Sequence, residues 1–283
     1  MRDLKNNLTT SGKNSKKRST RGKSFGYQVL GFGSGGAANF IKATGGNAVT
    51  TCGSCKIAKF TGPGTFCVSQ IADSAADNVV SYMVVAGGGG GGYDRAGGGG
   101  AGGFRELVSP TAPYTASPLD GYPSAPNRVT VSATGYPITV GAGGAGLPSG
   151  PAQQDAGTGA NSVFSTITAA GGGRGGSGPG IYSPGGDGGS GGGSDAYGTP
   201  LCASNMAAGS GNTPPTTPAQ GTAGGVGIFN SPNGSGRGGG GGGATVAGTA
   251  STPGGNPGGA GATTSISATP TAYGGGGGGG DCG

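Results

Sequence analysis

The stretch Tyr82-Met83-Val84-Val85-Ala86 runs directly into six consecutive glycines, Gly87 to Gly92, and this junction decides the fold. A flexible linker mixes glycine with serine and other polar residues, whereas a short apolar strand needs a partner surface to cover it. The junction recurs along the chain, which predicts a packed structure. The recurrences are residues 138–140 before Gly141, residues 163–170 before residues 171–173, and residues 266–273 before residues 274–280.

Consecutive glycines can form the extended threefold helix known from polyproline II, which rises about 3.1 Å per residue. Such helices can exchange backbone hydrogen bonds side by side, because no Cβ holds the backbones apart. Collagen is excluded, since glycine does not occupy strictly every third position. The sequence therefore predicts a mostly β fold with a polyglycine II helix bundle and essentially no α-helix.

Composition limits what kind of core the chain can build. Glycine and proline together make up 95 of 283 residues, and only 31% of the residues are apolar. Composition alone is typical of disorder, but charged residues amount to only 9%, whereas disordered segments are usually rich in charge. We predict three regions: a flexible basic arm over residues 1–24, a small antiparallel β module over residues 25–86, and the glycine-rich bundle over residues 87–283.

The arm carries a local charge of +7, while the remaining residues sum to −1. It contains no apolar stretch long enough for a secretory signal peptide, and no later segment is predicted to span a membrane. We interpret the arm as an anchor to a partner protein, with nucleic acid or no partner as the alternatives. Its basic residues are Arg2, Lys5, Lys13, Lys16, Lys17, Arg18, Arg21 and Lys23.

Few residues are suited to catalysis or metal binding. The chain has no histidine and a single glutamate, Glu106, so general acid–base pairs and histidine-activated nucleophiles are not available. Cys52-Gly53-Ser54-Cys55 has CxxC spacing, for which a turn between strands competes with a metal or redox site. Arg174 and Arg237 lie between glycines, where a structural role competes with RNA binding. We predict a protein that is not an enzyme and has no cofactor.

Several segments carry the residues of strands or of surface loops. Residues 56–60, 65–68, 79–86, 104–108, 128–131 and 136–140 are rich in β-branched and aromatic residues and are predicted strands. Residues 71–77 are predicted to be a loop. Prolines are concentrated in residues 109–127 and 212–220, which predicts loops on a rigid scaffold.

The junction at residues 82–92, the segment 97–106 and the segments 136–146, 161–173 and 265–280 resemble the glycine-rich domain of tail-fibre and related structural proteins of tailed bacteriophages. The turn at residues 60–66 is similar to the β module that precedes this domain, so the resemblance covers about residues 56–281. The arm is a departure, since tail fibres usually begin with a folded attachment domain.

The resemblance implies a bacteriophage virion structural protein, a tail fibre or adhesin that projects a rigid domain for host-surface attachment. A capsid-decorating appendage or cement protein is the alternative, and a nucleic-acid-binding glycine-rich protein is the second. The expected partners are other virion proteins through the arm, a host glycan or outer-membrane protein, and further copies of the chain, with a trimer as one arrangement. Localisation to the virion after assembly in the host cytoplasm follows from the same resemblance.

Receptor contacts are expected in the loops, because a polyglycine backbone is uniform and cannot discriminate between ligands. The candidate loops are residues 110–127 and 181–218. Tyrosines there offer a ring for stacking and a hydroxyl for hydrogen bonding, with a role as plugs over the bundle edge as the alternative. The candidate contact residues are Tyr114, Tyr122, Tyr182, Tyr197 and Met206.

Overall fold

Short antiparallel strands join extended runs of glycine in the computed structural model of the chain. The strands carry most of the large apolar side chains of the core, and the glycine runs carry almost none. The basic arm, Tyr182, Tyr197, Cys202 and Cys282 lie outside the described residues. The structure describes residues 38–53, 55–148, 154–178, 183–196, 206–230, 235–252 and 255–281.

The described residues form strands of three to seven residues and contain no α-helix, which confirms the predicted mostly β fold. The described residues also form single-turn 3₁₀ helices at Ala75–Asn78, which overlaps the predicted loop of residues 71–77, and at Ala125–Asn127. The strands are β1 Lys42–Thr44, β2 Ala48–Cys52, β3 Cys55–Lys59, β4 Gly64–Gln70, β5 Tyr82–Val85, β6 Phe104–Leu107, β7 Gly135–Thr139, β8 Ser162–Phe164, β9 Ile167–Ala169, β10 Ile228–Asn230, β11 Ser235–Arg237, β12 Ala262–Thr264 and β13 Thr271–Tyr273.

The largest sheet is antiparallel and has the strand order β1-β4-β7-β8-β9. Its core centres on Phe164 of β8. The Phe164 ring meets Phe66, Tyr82 and Tyr136 edge-on at centroid distances of 6.1, 5.9 and 6.2 Å. Such edge-on pairs are favourable because the positive edge of one ring faces the negative face of the other. Through Tyr82 and the fully buried Leu107, the β5–β6 pair packs onto this sheet.

Glycine-rich extended segments, which we call rods, bind one another through their backbones. In the rod of residues 97–103, every third N–H binds the antiparallel rod of residues 170–178, and another set binds the parallel rod of residues 238–244. This three-residue step is the polyglycine II repeat. The bonds are Gly97 to Gly176 (2.9 Å), Gly100 to Gly173 (2.8 Å), Gly103 to Ala170 (2.7 Å), Gly98 to Gly239 (2.9 Å) and Ala101 to Gly242 (2.9 Å).

The rod of residues 190–196 is enclosed on every side, as hexagonal packing requires. For example, the N–H of Gly191 binds the carbonyl of Thr222 at 2.9 Å, and the carbonyl of Gly191 accepts from the N–H of Gly242 at 2.8 Å. The rods therefore form a three-dimensional bundle, which we call the glycine lattice. Backbone hydrogen bonds join the rod 190–196 to residues 97–103, 170–178, 185–189, 207–211, 221–227 and 238–244.

A side chain inside the lattice would collide with a neighbouring backbone. A Cβ at Gly89 would lie 2.1 Å from the carbonyl oxygen of Gly173, whereas a Cβ at Gly91 of the same rod would have no atom within 4 Å. A Cβ at Gly277 would come within 3.3 Å of the backbone of Gly99, a contact that is tight but far less severe than the one at Gly89. Glycine is therefore required at position 89, is less critical at position 277 and is not sterically required at position 91.

Most predicted strands are present, but three are not as expected. The sequence predicts one strand over residues 163–170, whereas β8 and β9 form a hairpin there because Ser165, at φ 54°, turns the chain. Residues 266–273 contribute only β13, which pairs with β12 in a second hairpin. Residues 128–131 form no strand, and Thr130 makes only an isolated bridge to Val79.

Two sheets connect residues before position 86 with residues after it. Strand β4 pairs with β7, and β5 pairs with β6. Strand β3 pairs with β2 and not with β4, its successor across the turn at residues 61–64. Strands β1, β4 and β5, which precede the first glycine run, thus share their sheets with strands that follow it, whereas β2 and β3 pair only with each other.

We expect Gly89→Ala to lower the free energy of unfolding by about 2–3 kcal/mol, because the new Cβ forces two rods apart. Gly91→Ala should leave it unchanged or raise it by about 0.5 kcal/mol, since alanine restricts the unfolded chain and meets no atom in the folded one. Equilibrium denaturation of the two variants and the wild type provides the measurement. An equal loss of stability in both variants would contradict the lattice.

Candidate binding site at the strand end of the glycine lattice

Most strands gather at one end of the lattice. Strand β5 leads directly into the rod 86–92, and β6 follows directly after the rod 97–103. The two rods meet there, because the N–H of Ala86 binds the carbonyl of Gly103 at 3.1 Å. We call this the strand end. Large side chains do not fit inside the lattice, and the rods place them at this end instead.

Two loops with cis prolines cover the strand end, within the segments in which the sequence predicts loops. We call residues 108–127 loop A and residues 212–220 loop B. Loop A contains the cis bond Tyr122-Pro123, and loop B contains the cis bonds Thr213-Pro214 and Thr217-Pro218. Both loops are tied to the lattice by buried polar side chains.

Glu106 of β6 fixes the middle of loop A. Its side chain is 2% exposed, and one carboxylate oxygen accepts from the N–H of Ser117 at 2.8 Å. The other oxygen accepts from the hydroxyl of Thr264 in β12. A buried carboxylate is costly without such donors, so β6, loop A and β12 are held in one arrangement.

Asn127 joins loop A to loop B. Its side-chain N–H groups donate to the carbonyls of Gly121 at 3.2 Å and Thr217 at 2.8 Å. Its side-chain oxygen accepts from the Arg105 guanidinium, and its backbone carbonyl accepts from the Tyr82 hydroxyl at 2.7 Å. One buried amide thus connects two loops and the β5–β6 pair.

Gln220 secures the end of loop B. It is 1% exposed, and its side-chain N–H donates to the carbonyl of Pro214 at 2.7 Å. Its side-chain oxygen accepts from the N–H of Ala170 at 2.8 Å, and its backbone carbonyl accepts from the N–H of Phe104 at 2.8 Å. Loop B is therefore held against the start of β6 and the start of the rod 170–178.

A groove of about 450 Å³ opens between these loops and the ends of the rods. Among the described residues that line it, the threonine hydroxyls are the polar side-chain groups and no side chain is charged. The hydroxyls of Thr222 and Thr245 already donate to the carbonyls of Gly243 at 2.7 Å and Gly261 at 2.9 Å, which leaves their oxygens as acceptors. The lining residues are Pro118, Leu119, Ala219, Thr222, Ala244, Thr245, Gly261 and Thr263.

The predicted contact residues that the structure describes differ in how far they are exposed to solvent. Tyr122 in loop A is 41% exposed, and the Arg128 guanidinium lies 5.4 Å from its ring centroid. Tyr114 is half-buried with its hydroxyl inside, and burial together with the charge of Glu106 raises the pKa of Tyr114. Tyr114 therefore fits the role of a plug. Met206 is half-buried beside the rod 207–211.

Sequence reasoning missed the groove residues Leu119 and Thr263. Leu119 lies within the predicted loop, but nothing in the pattern distinguishes it from its neighbours. Thr263 follows a glycine rod more than a hundred residues later. Only the lattice, which brings the ends of distant rods together, places the two side chains around one groove.

The two arginines between glycines bind carboxylates. The Arg174 guanidinium lies 2.8 Å from Asp155, and that of Arg237 lies 2.9 Å from Asp281. Of the two roles that the sequence leaves open for them, a structural role and RNA binding, the ion pairs within the chain favour the structural role. Among the described residues, no group of three or more histidine, cysteine, aspartate or glutamate side chains could hold a metal ion.

In the part of the chain that the structure describes, no helix has the length and hydropathy needed to cross a lipid bilayer. A family described as "Glycine-rich domain" matches residues 60–283. Neither a curated protein nor a solved structure shows significant similarity to the chain.

The buried Tyr82 hydroxyl makes stability depend on alkaline pH. Burial raises the pKa of Tyr82 from 10.0 to about 12, with Arg105 opposing and Asp120 adding to this shift. Neutral Tyr82 therefore stabilises the fold fully below pH 10.0, and this contribution is lost as the pH rises through about 12.

We expect wild type to exceed Tyr82→Phe in unfolding free energy by about 1 kcal/mol near neutral pH, because the variant lacks the hydrogen bond to Asn127. This advantage should shrink above pH 10.0, the ordinary tyrosine pKa. Chemical denaturation of both proteins across this range measures the difference. The other tyrosines are present in both proteins, so their titration cancels in the difference between the two unfolding free energies. A constant difference would show that Tyr82 does not titrate as its burial requires.

Proposed function

Because the chain belongs to the glycine-rich domain family, we propose that it is a structural protein of a bacteriophage virion. In this proposal it is a tail-fibre or adhesin-type appendage that projects the glycine lattice toward the host surface. The resemblance of residues 56–281 to such proteins supports it. The family membership itself covers residues 60–283 and supports the glycine-rich domain alone.

The observation that carries the proposal is the contrast between the lattice and its strand end. The lattice exposes backbone, which offers every ligand the same N–H and C=O groups. Loops A and B instead present different side chains, held in place by the buried Glu106, Asn127 and Gln220. Pre-ordered loops bind with a smaller loss of conformational entropy. This arrangement suits a rigid support that presents a recognition surface.

The groove favours an uncharged ligand. It has no charged lining residue, and its threonine oxygens can accept hydrogen bonds beside apolar surface from Pro118 and Leu119. The exposed ring of Tyr122 adds a stacking surface in the same loop. These features fit a host-surface glycan or an uncharged loop of an outer-membrane protein.

The basic arm is proposed to attach the chain to other virion proteins. Eight cations on a short segment can bind an acidic protein surface. The remaining residues of the chain, at a net charge of −1, add little repulsion of that acidic surface. In this proposal the chain assembles in the host cytoplasm and remains on the virion after lysis. Further copies of the chain, with a trimer as one arrangement, complete the appendage.

We expect Thr263→Arg to weaken binding of the purified full-length chain to cells of the host bacterium by about tenfold or more. Thr263 is exposed in the groove, so the larger charged side chain blocks the groove without entering the core. Ala250→Arg is the matched control, because Ala250 is exposed but does not line the groove. Binding of fluorescently labelled protein to cells measures the effect. Equal binding by both variants would refute the groove as the contact.

Deletion of residues 1–24 should abolish incorporation into virions while leaving cell binding by the purified chain unchanged. Incorporation is measured on purified particles, and affinity for double-stranded DNA is measured in parallel at several salt concentrations. Retained incorporation with lost DNA affinity would instead support the nucleic-acid-binding alternative, since phosphate contacts weaken steeply with salt.

A further inference from the structure

The two cysteines of the CxxC segment face each other across a hairpin. Strands β2 and β3 form a two-stranded antiparallel ribbon in which Val49 opposes Ala58 and Cys52 opposes Cys55 as the last pair. Gly53, at φ 58°, begins the reversal between them. The sequence interpretation of this segment as a turn between strands is therefore confirmed, and the register places Cys52 and Cys55 directly opposite each other.

The ribbon has little other support. Every residue of β2 is exposed, and Val49 is 57% exposed. Its base is held by hydrogen bonds from the N–H of Asn47 to the carbonyl of Lys59 and from the N–H of Thr61 to the Asn47 side chain, both at 2.8 Å. An isolated two-stranded hairpin is only marginally stable in water. The cysteines lie at the other end of the ribbon, away from these hydrogen bonds. A covalent bond there would stabilise the hairpin.

We infer that Cys52 and Cys55 form a reversible disulfide that closes the tip of the ribbon, in exchange with small-molecule disulfides of the oxidised glutathione type. Directly opposed residues of antiparallel strands have Cα atoms about 4.5–5.5 Å apart. Disulfides join Cα atoms about 4.4–6.8 Å apart. The Cα spacing typical of such a pair thus lies within the range that a disulfide spans. Both side chains are thiols in the structure, and Cys52 is exposed to solvent.

The exchange proceeds in two balanced steps. The Cys52 thiol loses its proton to solvent, and its thiolate attacks oxidised glutathione, which forms a mixed disulfide and releases one glutathione thiolate. The Cys55 thiol likewise loses its proton to solvent, and its thiolate attacks the sulfur of Cys52 and displaces the second glutathione thiolate. The two released glutathione thiolates take up the two protons. Two protein thiols are oxidised, one glutathione disulfide is reduced to two thiols, and the reverse reaction reopens the ribbon.

Cys67 provides a control within the same chain. It is also an exposed thiol, but it lies in β4 opposite Thr44 of β1 and Gly135 of β7. No cysteine stands across from it in either pair. Its oxidation by glutathione should therefore stop at the mixed disulfide.

The test equilibrates the full-length chain in buffers with increasing ratios of oxidised to reduced glutathione, followed by acid quenching and peptide mass spectrometry. We expect the Cys52–Cys55 disulfide to reach half-formation at a ratio at least about tenfold lower than the mixed disulfide on Cys67, because closure is intramolecular. In Cys52→Ser or Cys55→Ser the remaining thiol should behave like Cys67. Cys67→Ser should leave the pair unchanged.

A second measurement uses trypsin, which cleaves after Lys56 in β3. Oxidised protein should be cut there about tenfold more slowly than reduced protein, because cleavage requires the backbone at Lys56 to leave its pairing with Thr51. Cys52→Ser should show no difference between the two conditions. The inference is overturned if Cys52 and Cys55 end as separate glutathione adducts, if either pairs with another cysteine, or if the reduced pair retains zinc and resists oxidation.

Discussion

Lateral hydrogen bonding between bare backbones is the interaction on which the rest of this structure depends. A rod turns its N–H and C=O groups to different neighbours in a three-residue rotation, so one rod can bind up to six others, as residues 190–196 do. This requires carbonyl oxygens to lie where a Cβ would stand, as at Gly97, where the distance would be 1.8 Å. Glycine loses more conformational freedom on folding than other residues, and only many simultaneous contacts offset that loss.

The rods, and the lack of α-helix among the described residues, could be predicted because many of the 76 glycines occur in runs joined to apolar strands. Such runs have few other ways to satisfy their backbone groups once the chain is compact. The junctions of strand and glycine run could be read in the same way. The hairpin at Ser165 could not, since its turn depends on one non-glycine residue at positive φ. Nor does the sequence separate Gly89 from Gly91, whose surroundings differ only once the neighbouring rods are placed.

The candidate site was less predictable than the fold, because its parts are distant in sequence. Asn127 binds the carbonyl of Thr217, and Glu106 binds the hydroxyl of Thr264. Proline content indicated both loops, but not that they meet at one end of the lattice. Tyrosine content indicated Tyr114 and Tyr122 equally, yet the hydroxyl of Tyr114 is buried and the ring of Tyr122 is exposed. Tertiary packing around loop A thus decides which tyrosine is available.

The three-residue repeat has a consequence for how the chain reaches its folded state. Within an uninterrupted run of glycines, a rod that slides along its neighbour by one repeat recovers the same hydrogen bonds, because glycine has no side chain to mark one position from the next. Such runs therefore cannot choose their own alignment. That choice falls to the residues that interrupt or end them, such as Ser194, whose hydroxyl accepts from the N–H of Gly227. At the strand end, the pairing of Phe104 with Val85 and the bond between Gln220 and Ala170 act in the same way. The end of the molecule that carries the groove thus also helps to set the register of the rods.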